Sequence, residues 1–378
     1  MAHESGDDEI AVRPATSSRG LPEDDELVVS ARRRHPPAWL IVASVGVLAG
    51  ALLTVAVTKQ HTGNEATLAP PAASATVTAT QPSSPADRTA LQLGPAVDLA
   101  LAADGTLYVL GLNRLTRIFP GTLRETTTVL PVGAAFVAVN SAGKRVWVVG
   151  QDTNEIDGYD PDSLTRISRT HLPGNVQIQA IAALGTQLFL ATTAGVFHLA
   201  TLDSVPHLLP GFPAAVQAIT ADPRRDQMLA VGEDYSLLQI RGGHVHLMPP
   251  SSGELLPGSL EVTEPGIWAV GFGIGGGPRI ARVNPSTLVL SPVGPGEPDA
   301  PQGADGWPGA TVFWARHVYS AAVVCYDART GTPTTSYPDL AAAGDPTPHT
   351  KIVSRGGAAY AISGPEVFRL KTTQSCPG

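Results

Sequence analysis

A short apolar phrase recurs seven times along this chain of 378 residues. Successive copies are separated by roughly 40 to 45 residues, a period typical of β-propellers, in which each repeat forms one four-stranded blade. The phrase therefore predicts an all-β fold, a seven-bladed β-propeller, over most of the chain. The aromatic or large apolar members of the seven copies are Tyr108, Trp147, Phe189, Leu229, Trp268, Phe313 and Tyr360.

Each repeat also contains the turn signals that four short strands require. Asp104 and Gly105 lie between two apolar runs of the first repeat, and an Asp-Gly pair in that position is a strong hairpin signal. A second turn recurs between the predicted third and fourth strands, where Asp or Asn can accept backbone hydrogen bonds and Pro sets the backbone. This turn reads YDPDSL at 159–164, VNPSTL at 283–288 and YDARTG at 326–331.

With these turns, residues 90–371 resemble the YVTN-type family of β-propellers, which is related to the WD-type repeats. The resemblance implies the propeller fold. It leaves the function open, because such propellers serve as scaffolds, as binding modules and occasionally as enzymes.

The last repeat is shorter than the others, since no fourth strand follows its third strand at 366–371. A segment before the first repeat, at 89–95, resembles the fourth strands of other repeats. We therefore predict that this N-terminal strand completes the last blade. Such closure pairs two sheet edges that would otherwise be exposed and locks the ring.

Residues 38–58 form an uncharged apolar stretch. As a helix it would reach roughly 30 Å, the thickness of a bilayer core. Three arginines at 32–34 precede the stretch, so the positive-inside rule predicts a cytoplasmic N-terminus and an extracytoplasmic C-terminal domain. We expect a single-pass signal-anchor in the cell membrane, and a cleaved signal peptide is the alternative.

Polar segments flank this predicted transmembrane helix. Residues 1–37 are expected to be a disordered cytoplasmic tail, and residues 59–88, rich in Ala, Pro, Ser and Thr, a stalk that carries the propeller of 89–378. Gly46 and Gly50 form a G-x-x-x-G motif, through which two helices can pack closely into a homodimer. The same spacing also arises by chance in a stretch so rich in Gly and Ala.

The composition suits an all-β domain and argues against nucleic acid as a partner. Charged residues make up 15% of the chain, whereas Gly and Pro number 39 and 34, which indicates many turns. The formal net charge of −8 at pH 7 gives no general basic surface for nucleic acid. Arginine far outnumbers lysine, which, with the abundant Ala, Gly and Pro, indicates a GC-rich, bacterial genome.

The chain has two cysteines, Cys325 and Cys376. Cys325 lies in the third strand of the sixth predicted blade and Cys376 in the terminal segment after the seventh. Neighbouring blades are adjacent, and paired cysteines persist in an oxidising compartment, so a disulfide between them is a candidate. The alternative is a buried Cys325 and a free Cys376.

No motif of a known catalytic, metal or cofactor site is present in the sequence. His244 and His246 would share one strand face, and Asp157, Asp160 and Asp162 superficially resemble a calcium loop. Both sets coincide with strands and turns of the repeat, which favours a structural role. We therefore predict no catalytic residue, no metal site and no cofactor.

Propeller ligands usually bind where the loops between the second and third strands and those between blades converge at the mouth of the central channel. We predict that this mouth is mixed in charge but acid-leaning, and ordinary loop polarity is the alternative explanation. The candidate binding residues in these loops are Asp152, Asn154, Glu155, Glu233, Asp234, Arg316, His317 and Glu366.

These observations favour a membrane-anchored extracytoplasmic binding module whose partner is a protein, a wall polymer or a small molecule. The alternative is an extracytoplasmic enzyme of the lyase or lactonase type, a class that seven-bladed propellers sometimes host. Such an enzyme would need His and Glu side chains or metal ligands that converge in the channel. A sensor that signals through the cytoplasmic tail is a third hypothesis, against which the short tail weighs.

Overall fold

The structure is a computed structural model that describes residues 88–122, 124–131, 133–140, 144–151, 153–201, 204–212, 215–248, 255–274, 280–293, 301–306, 309–317, 322–337, 351–355, 357–372 and 376. The predicted tail, the predicted span with Gly46 and Gly50, and nearly all of the predicted stalk lie outside these residues. No helix within the described ranges combines the length and the apolarity needed to cross a membrane.

The described part of the chain forms seven four-stranded antiparallel sheets, the blades. It begins with β1 (Arg88–Leu91). Blade 1 contains β2 (Ala96–Leu101), β3 (Leu107–Gly111), β4 (Arg114–Ile118) and β5 (Glu125–Val129). Blade 2 contains β6 (Ala134–Val139), β7 (Val146–Gly150), β8 (Glu155–Tyr159) and β9 (Arg166–His171). Blade 3 contains β10 (Ile178–Leu184), β11 (Gln187–Thr192), β12 (Gly195–Leu199) and β13 (His207–Leu208).

The other four blades follow the same order. Blade 4 contains β14 (Val216–Asp222), β15 (Gln227–Gly232), β16 (Leu237–Arg241) and β17 (His244–Met248). Blade 5 contains β18 (Leu255–Val262), β19 (Ile267–Gly273), β20 (Ile280–Val283) and β21 (Leu290–Val293). Blade 6 contains β22 (Pro301–Gly306), β23 (Val312–His317), β24 (Val323–Asp327) and β25 (Pro333–Tyr337). Blade 7 contains β26 (Ile352–Arg355), β27 (Ala358–Ser363) and β28 (Glu366–Leu370).

The N-terminal strand closes the ring, as the sequence predicts. β1 pairs antiparallel with β28, with Arg88 opposite Leu370 and Leu91 opposite Val367, and so becomes the fourth strand of blade 7. The seven-bladed propeller fold is therefore confirmed.

The alternating strand directions divide the connections between the two ends of the ring. The loops from second to third strands and from one blade to the next lie at one end, here called the loop end. The turns from first to second and from third to fourth strands lie at the other end, here called the turn end.

The hydrophobic core lies between neighbouring blades. All seven recurring large residues occupy second strands, and each contributes to a cluster between blades. Tyr108 of blade 1, for example, packs in one cluster with Tyr159 and Leu164 of blade 2. Burial raises the pKa of Tyr108 to about 12, so this phenol stays protonated at neutral pH.

The turns between third and fourth strands share one backbone design in blades 2, 5 and 6. Asp160, Asn284 and Asp327 each accept hydrogen bonds from the backbone N–H groups two and three residues further on. The backbone bond from Ser163 holds the pKa of Asp160 below its usual value. The fifth turn residue then adopts a left-handed backbone in all three: Leu164 (φ 54°), Leu288 (φ 58°) and Gly331 (φ 73°).

Each of these turns packs against the preceding blade, which donates a hydrogen bond to the second turn residue. The three bonds run from Tyr108 Oη to Pro161 O (3.5 Å), from Gln239 Nε2 to Pro285 O (3.0 Å) and from Trp268 Nε1 to Ala328 O (3.0 Å). Arginines reinforce two of them, since Arg117 binds Asp162 and Arg282 donates to the backbone of Arg329. Turn and blade therefore dock as one recurring unit.

Gly331 offers a test of this docking, because a Cβ atom there would lie 2.7 Å from the indole ring of Trp268. We expect Gly331→Ala to lower the free energy of unfolding by about 2–4 kcal/mol, from a strained left-handed backbone together with overpacking. Gly121→Ala is the matched control, since Gly121 has φ 81° and no atom lies within 4 Å of the position that its Cβ would take.

We expect the Gly121→Ala control to cost only about 1 kcal/mol, because it carries the backbone strain alone. Urea denaturation of both variants measures the difference. Equal losses in the two variants would show that Trp268 does not restrict the turn.

Candidate functional site

The first strands of the blades surround a central channel with a cavity of about 450 Å³. Its wall consists mainly of alanine, valine, leucine and isoleucine. A few polar side chains interrupt the apolar surface: Asp98, Gln179, Thr220, Ser259, Glu261, Lys351 and Arg355. Within the described residues no group of three or more His, Cys, Asp or Glu side chains is placed to hold a metal ion.

Asp98 is the centre of a polar cluster in the channel. Lys351 Nζ lies 2.6 Å from Asp98 Oδ1, and the backbone N–H of Val137 donates to Asp98 Oδ2 at 2.7 Å. The carboxylate is 4% exposed, whereas the Lys351 side chain is 44% exposed. One buried carboxylate thus joins the first strands of blades 7, 1 and 2.

The position of Asp98 follows from a β-bulge near the start of its strand. The pairing of β2 with β3 shifts register between Ala96 and Asp98, and the first strands of blades 2 to 6 show similar shifts. A bulge bends the strand and redirects the next side chain. The residues that follow the bulge in blades 2 to 5 are Phe136, Ala180, Ala218 and Ser259, so an acidic residue at this position distinguishes blade 1 from these four blades.

The predicted loop residues of blade 2 serve mainly to hold their own loop. Asn154 has a left-handed backbone (φ 54°), and its Nδ2 donates to the carbonyl of Gly174 at 3.3 Å. Glu155 accepts a hydrogen bond from Arg169 at 3.1 Å, and the same guanidinium binds Asp157. These bonds, first of all that with Asp157, raise the pKa of Arg169. Asp152 lies outside the described residues.

The predicted residues of blades 4 and 7 lie at the same end of the ring. Glu233 and Asp234 follow β15 and are exposed, and Asp234 accepts a hydrogen bond from the backbone N–H of Ser236 at 3.0 Å. Glu366 begins β28 and is also exposed. The loop end therefore carries exposed carboxylates in two blades.

Arg316 and His317 are placed differently from a loop residue. Both belong to β23 and are only 8% exposed. His317 Nε2 forms a hydrogen bond with the hydroxyl of Tyr326 at 2.7 Å, and the two rings stack. These side chains thus pack within blade 6, where the strand extends further than the sequence pattern indicated.

A disulfide joins Cys325 of β24 to Cys376, with the two Cα atoms 6.3 Å apart. Both cysteines are fully buried in the cluster that connects blade 6 with blade 7. The bond ties the end of the described chain to the blade before the closing one. In the chain-entropy model a loop of this length contributes about 4 kcal/mol.

Sequence reasoning missed Asp98 and Lys351 as partners. A signal was present, because Asp98 interrupts an apolar first strand in which neighbouring repeats carry Phe136 and Ala180. The pairing itself joins the first and last repeats and has no local signature.

Comparison with known proteins supports the fold. No protein-family model and no curated protein matches the chain. The structure of U3-55K is similar, with a TM-score of 0.59 and 13% identity over 76% of this chain and 99% of that one. The WD40 repeats of RRP9 are also similar, with a TM-score of 0.56 and 11% identity over 77% of this chain and 99% of that one. A chain in the mitotic checkpoint complex has a TM-score of 0.60 and 12% identity over 82% of this chain and 99% of that one. These likenesses show a WD-like propeller fold.

Substitution of Asp98 tests whether its pair with Lys351 stabilises the ring. We expect Asp98→Ala to lower the free energy of unfolding by about 2–4 kcal/mol, because the N–H of Val137 loses a buried acceptor and Lys351 loses its partner. Asp98→Asn retains an acceptor oxygen of the same size and should lose less. Urea denaturation measures both variants, and a wild-type midpoint for Asp98→Ala would contradict a structural role for the pair.

Proposed function

We propose that this chain is an interaction module whose propeller binds a protein partner at the loop end. The observation that carries the proposal is a set of exposed apolar side chains at the ends of second strands and in the loops that follow them. Leu112 in blade 1 is 65% exposed, and Phe272 and Ile274 in blade 5 are also exposed. Apolar anchors with a polar surround are typical of protein–protein interfaces.

The charges at the loop end favour a partner with a basic surface. Glu233, Asp234 and Glu366 are exposed there, whereas the carboxylates of Glu155 and Asp157 are bound to Arg169. Complementary charge raises the association rate and the sensitivity to salt. We infer that the partner binds faster at low ionic strength.

The channel supports binding at the loops in preference to chemistry inside the ring. Its most buried carboxylate, Asp98, is held by Lys351 and by the N–H of Val137, which gives it a structural task. The similar structures include WD40 repeats and a member of the mitotic checkpoint complex, an assembly of proteins. Both observations support an interaction role.

Photocrosslinking of the full chain in its native cells tests this proposal. A photoreactive residue at Leu112 or Glu233 should crosslink to one discrete protein, since both positions lie at the loop end. The same residue at Thr126, on the outer strand β5, is the control and should not capture that protein. Identical products from all three positions would contradict a binding surface at the loop end.

We also propose that the chain is anchored in the membrane by residues 38–58, with the propeller outside the cytoplasm. The support is the uncharged stretch and the arginines at 32–34 that precede it. Protease added to intact cells should then remove the propeller and spare a tag at residue 1. Recovery of a soluble propeller whose N-terminus lies near residue 60 would indicate a cleaved signal peptide instead.

A further inference from the structure

A second cavity, of about 210 Å³, lies between blades 3 and 4 at the turn end. Leu184, Phe189, Leu209 and Ile240 supply its apolar wall. The rest of its lining consists of the polar side chains of Gln187, His198 and the exposed Asp226, together with Gly242 and Gly243. The cavity is therefore distant in the fold from the loops of the proposed partner surface and does not depend on that proposal.

The cavity exists because blade 4 has an unusually short turn. Its third and fourth strands are joined by Gly242 (φ 55°) and Gly243 (φ 78°) alone, the geometry of a two-residue hairpin. In blade 2, the strands β8 and β9 are joined by the six residues 160–165. Arg241 pairs with His244 at the register where Asp160 and Thr165 meet, so blade 4 has two residues where blade 2 has the four residues 161–164.

A leucine fills the equivalent space at two other blade interfaces. Leu164 and Leu288 are each 1% exposed. Leu164 shares a cluster with Tyr108 of the preceding blade, and Leu288 shares one with Leu229. The residue of blade 3 at the position of Tyr108 and Leu229 is Phe189, which lines the cavity.

Blade 3 also differs from blades 1, 4 and 5 in the polar groups that face the turn of the next blade. Blades 1, 4 and 5 each donate a hydrogen bond to the turn that follows, but Phe189 has no donor. His198, which stands opposite Phe189 as Arg117 stands opposite Tyr108, uses both ring nitrogens elsewhere.

His198 has no ring nitrogen left to bind a ligand, because both nitrogens already form hydrogen bonds. Its Nε2 lies 3.0 Å from Gln187 Oε1 and its Nδ1 lies 3.3 Å from His207 Nε2, while its ring stacks on Phe189 with centroids 4.6 Å apart. Burial, followed by the charge of His207, lowers the pKa of His198, so its ring is neutral at pH 7. The inner part of the cavity therefore suits an apolar group that needs no hydrogen bond.

We propose that the cavity between blades 3 and 4 binds a leucine side chain presented on a tight turn of a partner protein. The partner would supply the element that the chain itself supplies at the interfaces of blades 1 and 2 and of blades 4 and 5. The volume is sufficient, because a cavity of about 150 Å³ accommodates benzene. Such a site resembles a hot-spot pocket, in which one buried anchor carries much of the binding energy.

The test uses a cyclic peptide with the sequence of residues 159–165, YDPDSLT, in which a photoreactive leucine analogue replaces the leucine. The full chain in detergent is irradiated with this peptide, digested and analysed by mass spectrometry. We expect the label within 187–209 and 240–243, and at least tenfold less label in the presence of excess unlabelled peptide. A competitor that carries aspartate in place of leucine should leave the labelling unchanged.

Two variants of the protein complete the experiment. The first replaces residues 241–244 with the six-residue segment DPDSLT of 160–165, which fills the cavity from within and should reduce labelling at least tenfold. The second, Gly121→Asn, is the matched control, because Gly121 lies in the turn between the third and fourth strands of blade 1 and does not line the cavity. Asn tolerates the left-handed backbone, and no atom lies within 4 Å of the position that its Cβ would take, so labelling should persist.

Each remaining outcome decides the proposal. Label that is spread over the surface, or that the aspartate peptide removes equally well, would overturn it. Undiminished labelling of a folded six-residue graft would do the same. If the graft does not fold, the position of the label in the wild-type protein and in Gly121→Asn, together with the two competitors, gives the answer.

Discussion

The pairing of β1 with β28 is the interaction on which the rest of the ring depends. A blade buries its apolar faces only against its two neighbours, so an open ring would expose both a sheet edge and two blade faces. Strand pairing alone does not seal the closure. The backbone N–H of Ala96 donates to the carbonyl of Pro365, and Lys351 of blade 7 binds Asp98 of blade 1. The disulfide of Cys325 and Cys376 then holds blade 7 to blade 6 from the opposite side.

At the interfaces that precede blades 2, 5 and 6, the neighbouring blades are held together by the turn that joins the third and fourth strands. Its fifth residue must adopt a left-handed backbone, and the neighbouring blade decides which side chain can do so. Leu164 and Leu288 accept that backbone and fill the interface, whereas Trp268 takes up the space beside Gly331. At these three interfaces, side-chain volume is therefore exchanged between a strand and the turn of the next blade, so that each of the three is filled once.

Much of the fold could be predicted from the sequence because its determinants are local. The apolar phrase and the DPDSL-type turns recur from repeat to repeat, and the short last repeat revealed the closing strand. The channel could not be predicted in the same way, since Asp98 meets Lys351 only when the ring closes. Arg316 and His317 were expected in a loop, because no local pattern reports how far β23 extends or that His317 packs on Tyr326.

Departures from a repeat carry information that the repeat itself lacks. Phe189 and Gly242 lie in different blades and look unremarkable apart, since one is an apolar strand residue and the other a turn glycine. Together they change the interface of blades 3 and 4. Phe189 lacks the hydrogen-bond donor that would hold a long turn of blade 4, and blade 4 lacks that long turn. Because the two changes match, no donor of blade 3 is left facing an absent turn, and what remains is a cavity with an apolar wall of Leu184, Phe189, Leu209 and Ile240. An apolar group that covers the apolar wall of this cavity lowers the free energy. This property distinguishes a binding pocket from a packing defect.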